Sequence, residues 1–122
     1  MIIKALKEIY SIHAGDNSLL CEILNPLKQD INIRYSLAWA QLKRGQKSLA
    51  HRLKNSEVYY ILKGSGIMYI NNEKKPVKKN DTVYIPPEAS QFLENTGEQD
   101  LEFLCIVDPA WTPEAEQILE KK

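Results

Sequence analysis

The sequence predicts an all-β fold, a small barrel or sandwich finished by one short C-terminal helix. Three observations lead there. Short runs rich in Val, Ile, Tyr and Phe alternate apolar with polar residues. Turn signals built from Gly, Asn, Asp and Pro separate them roughly every eight to twelve residues. A clear helix start occurs only near the end, at Thr112-Pro113-Glu114, with a capping hydroxyl, proline at the first helical position and an acid in the first turn.

Taken in order, residues 1–12 fit either a short strand or a helical turn, and His13-Ala-Gly-Asp-Asn-Ser18 is a loop. Leu19-Leu-Cys-Glu-Ile-Leu24 is a strand closed by the turn dipeptide Asn25-Pro26. From 33 to 43 the chain alternates, and Ile33, Tyr35, Leu37 and Trp39 are expected on the buried face. Arg44-Gly45-Gln46 turns into a strand around His51, and a second begins at Glu57. Gly64-Ser65-Gly66 marks a corner or bulge, and Asn71-Asn72 a hairpin, because asparagine tolerates positive φ. Pro76 suits an edge strand, and the surrounding Lys74, Lys75, Lys78 and Lys79 read as a solvated edge that blocks further pairing. Strands at 82–85, 91–94 and 101–107 follow. The closing helix is expected over 113–121, with Ile118 and Leu119 packed on the body and Trp111 as its anchor.

The 122 residues suit a single domain, with N-terminal strands at 1–24, a core at 33–107 and the helix at the end. Sixteen basic and sixteen acidic residues cancel, so no basic face recruits nucleic acid. No apolar run reaches the ~18 residues of a membrane helix, and the amino terminus is broken by Lys4, Lys7 and Glu8. Cys21 and Cys105 sit in apolar strands and read as two buried thiols in a reducing cytoplasm, with one disulfide as the alternative.

The functional lead is the stretch 45–64. Side chains on a strand recur on one face every second residue, so Leu49, His51 and Leu53 share a face, as do Glu57, Tyr59 and Ile61. An imidazole, a carboxylate and a phenol therefore project into an otherwise apolar space. Tyr59 either donates to a ligand or packs in the core with its hydroxyl satisfied. Trp39, if inward, lines the same space and limits its size. His13 is a minor candidate for a ligand contributed across a dimer.

These residues resemble the two cupin motifs. The first is commonly Gly, five residues, His-x-His, three or four residues, Glu, six residues, Gly. Gly45, His51, Glu57 and Gly64 keep that spacing, while Leu53 replaces the second histidine. The second is commonly Gly, five residues, Pro-x-Gly, two residues, His, three residues, Asn. Pro86 and Asn95 match, whereas Asn80, Glu88 and Gln91 stand for the two glycines and the histidine. The resemblance spans 33–107 and is nearest to single-domain cupins of the compact cupin 2 type with a degenerate metal-binding motif. It implies a double-stranded β-helix, the jelly-roll barrel, often dimeric through strands outside the core.

By the same resemblance His51, Glu57 and Gln91 take the places of metal ligands. One imidazole, one carboxylate and one amide oxygen lack the two-histidine, one-carboxylate triad of non-haem iron, and suit iron or manganese better than zinc. The main expectation is a small-molecule cupin with a divalent metal, of isomerase or dioxygenase type. His51 and Glu57 would be catalytic, and Gln91, Tyr59 and Trp39 would touch the substrate. The alternative is a metal-free, non-catalytic domain that binds or senses a sugar or similar metabolite. Several metal-free sugar-nucleotide epimerases of this kind keep a third option open, with His51 as base and Glu57 orienting it. The last option is that His51, Glu57 and Gln91 only satisfy one another in a barrel without chemistry.

Overall fold

The computed structural model describes residues 1–9 and 11–120, and the chain is all-β. Its strands are β1 (Ile12–His13), β2 (Leu19–Leu24), β3 (Ser36–Leu42), β4 (His51–Leu53), β5 (Ser56–Lys63) and β6 (Ser65–Ile70). They continue with β7 (Glu73–Lys78), β8 (Thr82–Ile85), β9 (Gln91–Glu94), β10 (Leu101–Asp108) and β11 (Glu116–Ile118). One sheet runs β1-β2-β3-β10-β5-β8 and the other β11-β4-β9-β6-β7. Every paired neighbour is antiparallel.

Two sequence expectations fail here. The expected closed barrel is a sandwich of two open sheets, because the strands at the sheet borders cannot bridge the gap. β1 has two residues, β11 three and β8 four, and β7 carries Pro76, which has no N–H to give. The expected C-terminal helix stops after one 3₁₀ turn, Pro113–Ala115, and Thr112 makes no side-chain cap. The next residues pair with β4 instead, Glu116 opposite Leu53, Gln117 opposite Arg52 and Ile118 opposite His51. Flanking bonds from the Lys54 amide to the Ala115 carbonyl (3.0 Å) and from the Leu119 amide to the Ala50 carbonyl (2.8 Å) lock that strand down. A helix this short gains little by itself, so tertiary pairing wins. The end of the expected helix, Lys121, lies outside the described residues.

The alternation in β3 is real, but its faces are reversed. Ser36 and Ala40 are buried, Trp39 is half-buried and Tyr35 is exposed. Trp39 faces an outer groove with Leu6, Ile9 and Leu19. The inner face thus carries Ser36, Ala38, Ala40 and Leu42. This reversal makes room inside, since three of these four side chains are small.

Register explains where the room lies. Three strands of the larger sheet run side by side, and their inward residues form rows. Leu42 lies opposite Leu101; Ala40 opposite Phe103, itself opposite Ile61. Next come Ala38, Cys105 and Tyr59, then Ser36, Val107 and Glu57. Leu42, Ile61 and Leu101 are fully buried and close one end with Met68, Val77, Ile85 and Leu93. The small and polar rows leave the other end open as a cavity. Cys21 and Cys105 are both free and buried.

The motif positions that resemble glycines keep a glycine backbone even where the residue differs. Gly45 and Gly64 have φ of 80° and 89°, and Asn80 and Glu88 have 74° and 69°. A Cβ on Gly64 would lie 2.8 Å from the Asp100 carbonyl oxygen, so that position excludes side chains. Asparagine enters the left-handed region easily, whereas glutamate does so at a cost. Glu88 is exposed, and its amide is held by the Leu53 carbonyl at 2.8 Å. Replacement Glu88→Gly should therefore stabilise the fold by about 0.5–1 kcal/mol in urea unfolding. A loss of stability would show that its side chain outweighs the strain.

Candidate functional site

β4 presents His51 and β5 presents Glu57 and Tyr59 to the space between the sheets, as alternation requires. All three are buried, His51 to 4% exposure and Glu57 to 6%. Gln91 stands opposite His51 across the β4–β9 pair and is 1% exposed. Its amide is used twice. The Gln91 Nε2 donates to Glu57 Oε1 at 2.9 Å, and the Tyr59 hydroxyl donates to Gln91 Oε1 at 3.1 Å. Gln91 thus sits behind the cavity wall as a spacer between acid and phenol.

His51 is outside this chain of bonds. Its Nδ1 lies 2.9 Å from the Leu49 carbonyl oxygen, an acceptor only, so Nδ1 carries the hydrogen. The other ring nitrogen, Nε2, has no hydrogen-bond partner among the described residues. Glu57 Oε2 is likewise without one. The expectation that Glu57 orients His51 therefore gives way to a different arrangement: backbone orients the imidazole, and Gln91 orients the acid.

The cavity has a volume of about 90 Å³. That is space for about three waters at their liquid share of ~30 Å³ each, or for one compact ligand of a few heavy atoms. Trp39 and Gln91 do not line it. His13 lies on exposed β1, also outside it. Phe103, packed against Tyr59 with ring centroids 4.7 Å apart, forms part of the inner wall.

Two wall residues were not foreseen. Asp16 comes from the loop before β2 and Glu116 from β11, one hundred residues away, and they sit at the cavity with Trp111. The Trp111 Nε1 donates to Glu116 Oε2 at 2.9 Å, so this ring anchors a strand end where a helix anchor was expected. The Leu49 amide donates to the Asp16 carbonyl at 2.7 Å and ties the early loop to the His51 segment. The loop's Gly-Asp-Asn-Ser composition gave only a turn signal for Asp16, and Glu116 was masked by its assignment to a helix.

The chain matches the cupin domain family over residues 38–107. The chain belongs to the cupin family. It is 42% identical over 106 residues to an uncharacterized protein of Methanocaldococcus jannaschii, covering 86% of this chain and 84% of that one. It is 41% identical over 51 residues to the oxalate-binding protein of Thermotoga maritima, covering 42% of each. The crystal structure of a predicted oxalate decarboxylase from Thermotoga maritima superposes with a TM-score of 0.78 at 25% identity, covering 88% of this chain and 99% of that one.

As a cupin this chain has a thinned ligand set. Leu53 has no donor atom, and the Gln91 oxygen is already engaged by Tyr59 while its nitrogen faces Glu57. Among the described residues no three His, Cys, Asp or Glu side chains converge as a metal ion requires. The expected iron or manganese held by His51, Glu57 and Gln91 is therefore not supported, and neither is the metal-dependent isomerase or dioxygenase built on it. No helix among the described residues is long and apolar enough to cross a membrane.

Electrostatics mark Glu57 as the sensitive group. Burial raises its pKa from 4.5 to about 7; nearby His51 and the bond from Gln91 pull the other way, and Asp16 and Glu116 add to the rise. Between these two values the folded chain holds a proton that the unfolded chain has released. Stability therefore falls as pH rises through that window and is level above about 7. The shift corresponds to about 3 kcal/mol. A Glu57→Gln variant should gain stability over the parent at pH 8 and much less at pH 5, in urea unfolding at both. Equal effects at the two pH values would refute the raised pKa.

Proposed function

We propose that this cupin binds a small polar metabolite between its sheets without metal, as a binding or sensing domain. The observation that carries the reading is the cavity itself, lined by the otherwise buried His51 and Glu57, whose Nε2 and Oε2 have no protein partner among the described residues. Both residues line a space that admits water, so a polar guest there can take over the pairing that water would otherwise provide. His51 and Glu57 contact the ligand in this reading, and Tyr59 bounds it. Gln91 is a positioning residue, because it reaches the cavity only through Glu57. Trp39 has no part, since it faces the opposite side of β3.

The relatives named for oxalate support a small ligand at such a position, and the cavity volume agrees with that size. The reading treats residues 1–122 as one functional unit and the chain as a homodimer. Ile12 is exposed on the edge strand β1, and Ile2, Ile3 and Leu6 of the preceding segment are exposed as well, which supports pairing of two copies through the N-terminal part. Two free buried thiols support a reducing cytoplasm.

Protein purified without chelator or a nickel column should contain far less than one transition metal per chain by elemental analysis. It should sediment as a dimer. Amide resonances around His51 and Glu57 should shift with polar probes of four to six heavy atoms, and Ala38→Leu, which fills the cavity, should abolish those shifts. Stoichiometric metal, or shifts that persist in Ala38→Leu, would contradict the reading; a monomer would remove the dimer.

A further inference from the structure

The cavity wall is unbalanced in hydrogen-bonding terms. Three atoms of its lining residues, His51 Nε2, Asp16 Oδ2 and Glu116 Oε1, have no partner among the described residues, and Glu57 Oε2 joins them as an acceptor when Glu57 is ionised. The other oxygen of each carboxylate is in use, accepting from Gln91, from the Ser18 amide and hydroxyl, and from Trp111. On the donor side little is left. The Tyr59 hydroxyl is spent on Gln91, the Trp111 indole on Glu116, and the Ser18 hydroxyl on Asp16. The Ser36 hydroxyl, which accepts from the Trp111 amide at 2.9 Å, and the weakly donating Cys105 thiol keep a hydrogen to give, as does Glu57 in its protonated form.

Charge leans the same way. Asp16, Glu22, Glu57 and Glu116 line the cavity, and no lysine or arginine does. Glu22 is neutralised from outside by Lys28 at 2.8 Å and accepts from Asn25, so it belongs to the frame. His51 and Glu57 are more than nine-tenths buried, and their free atoms face the same space as the acids. Tyr59, Phe103 and Trp111 supply aromatic surface for the apolar part of a guest, and such faces favour a cation.

We infer that the ligand is a small primary ammonium compound, its N–H donors pairing with free acceptors of this lining, those of Asp16 and Glu116 foremost. This rests on the metal-free binding reading above and adds the charge of the guest. An ammonium group brings three donors and no acceptor, the complement of this wall. A dicarboxylate such as oxalate brings acceptors and negative charge to a surface that already holds both, so the ligand class differs from that named for the Thermotoga maritima relative.

The test is a set of probes of similar size titrated into the full chain and followed by amide NMR: ethanolamine, ethylene glycol, glycolate and oxalate. Ethanolamine should bind at least tenfold tighter than ethylene glycol, with glycolate and oxalate weaker than both. In an Asp16→Asn, Glu116→Gln double variant, which keeps an acceptor oxygen for Ser18 and Trp111, the tenfold preference should vanish while ethylene glycol is unchanged. Tighter glycolate or oxalate, or ethylene glycol equal to ethanolamine, overturns the ammonium inference and leaves cavity binding standing. A preference that survives the double variant overturns the role given to those carboxylates. If no probe shifts the cavity resonances, both readings fall.

Discussion

The site depends on how a carboxyl group is kept inside an apolar sandwich. Glu57 is buried, and the bond that holds it comes from the amide of Gln91, held in turn by Tyr59. One side-chain amide thus satisfies the acid's first oxygen and the phenol's hydrogen. That leaves the second carboxyl oxygen facing the cavity. A histidine at Gln91 would place an imidazole beside Glu57 and restore one ligand of the family pattern. The amide instead converts a place for a metal ligand into a support. Leu53 completes the change on the other strand, closing the wall with a methyl-bearing chain.

Much of this was legible in the sequence. The period-two pattern placed His51, Leu53, Glu57, Tyr59 and Ile61 on inner faces, because one-sided burial forbids slippage of register there. The motif spacing identified Asn80 and Glu88 as glycine stand-ins, and both have the left-handed backbone that glycine would adopt. β3 was misread because hydrophobic size was taken as the guide to its inner face. Here small residues point inward to leave a cavity, and Trp39 covers an outer groove. The C-terminal segment was misread because its helix-start signal is local, while pairing with β4 is not.

Those two misreadings have one consequence for function. The reversed β3 creates the empty volume, and the unexpected β11 brings Glu116 to it. The early loop adds Asp16 from the other end of the chain, held through its backbone carbonyl to the His51 segment. The cavity wall is therefore assembled from segments far apart in sequence, and three of its four acids, Asp16, Glu22 and Glu116, lie outside the family motifs.

The central claim is that Glu57 is a buried acid positioned by Gln91, and carbon-detected NMR titration of the Glu57 carboxyl tests it most directly. The parent should titrate near 7, and Gln91→Leu, which removes a bond favouring the ionised form, should move the midpoint higher still. A midpoint at the ordinary value of 4.5, or one that does not respond to Gln91→Leu, would contradict the account.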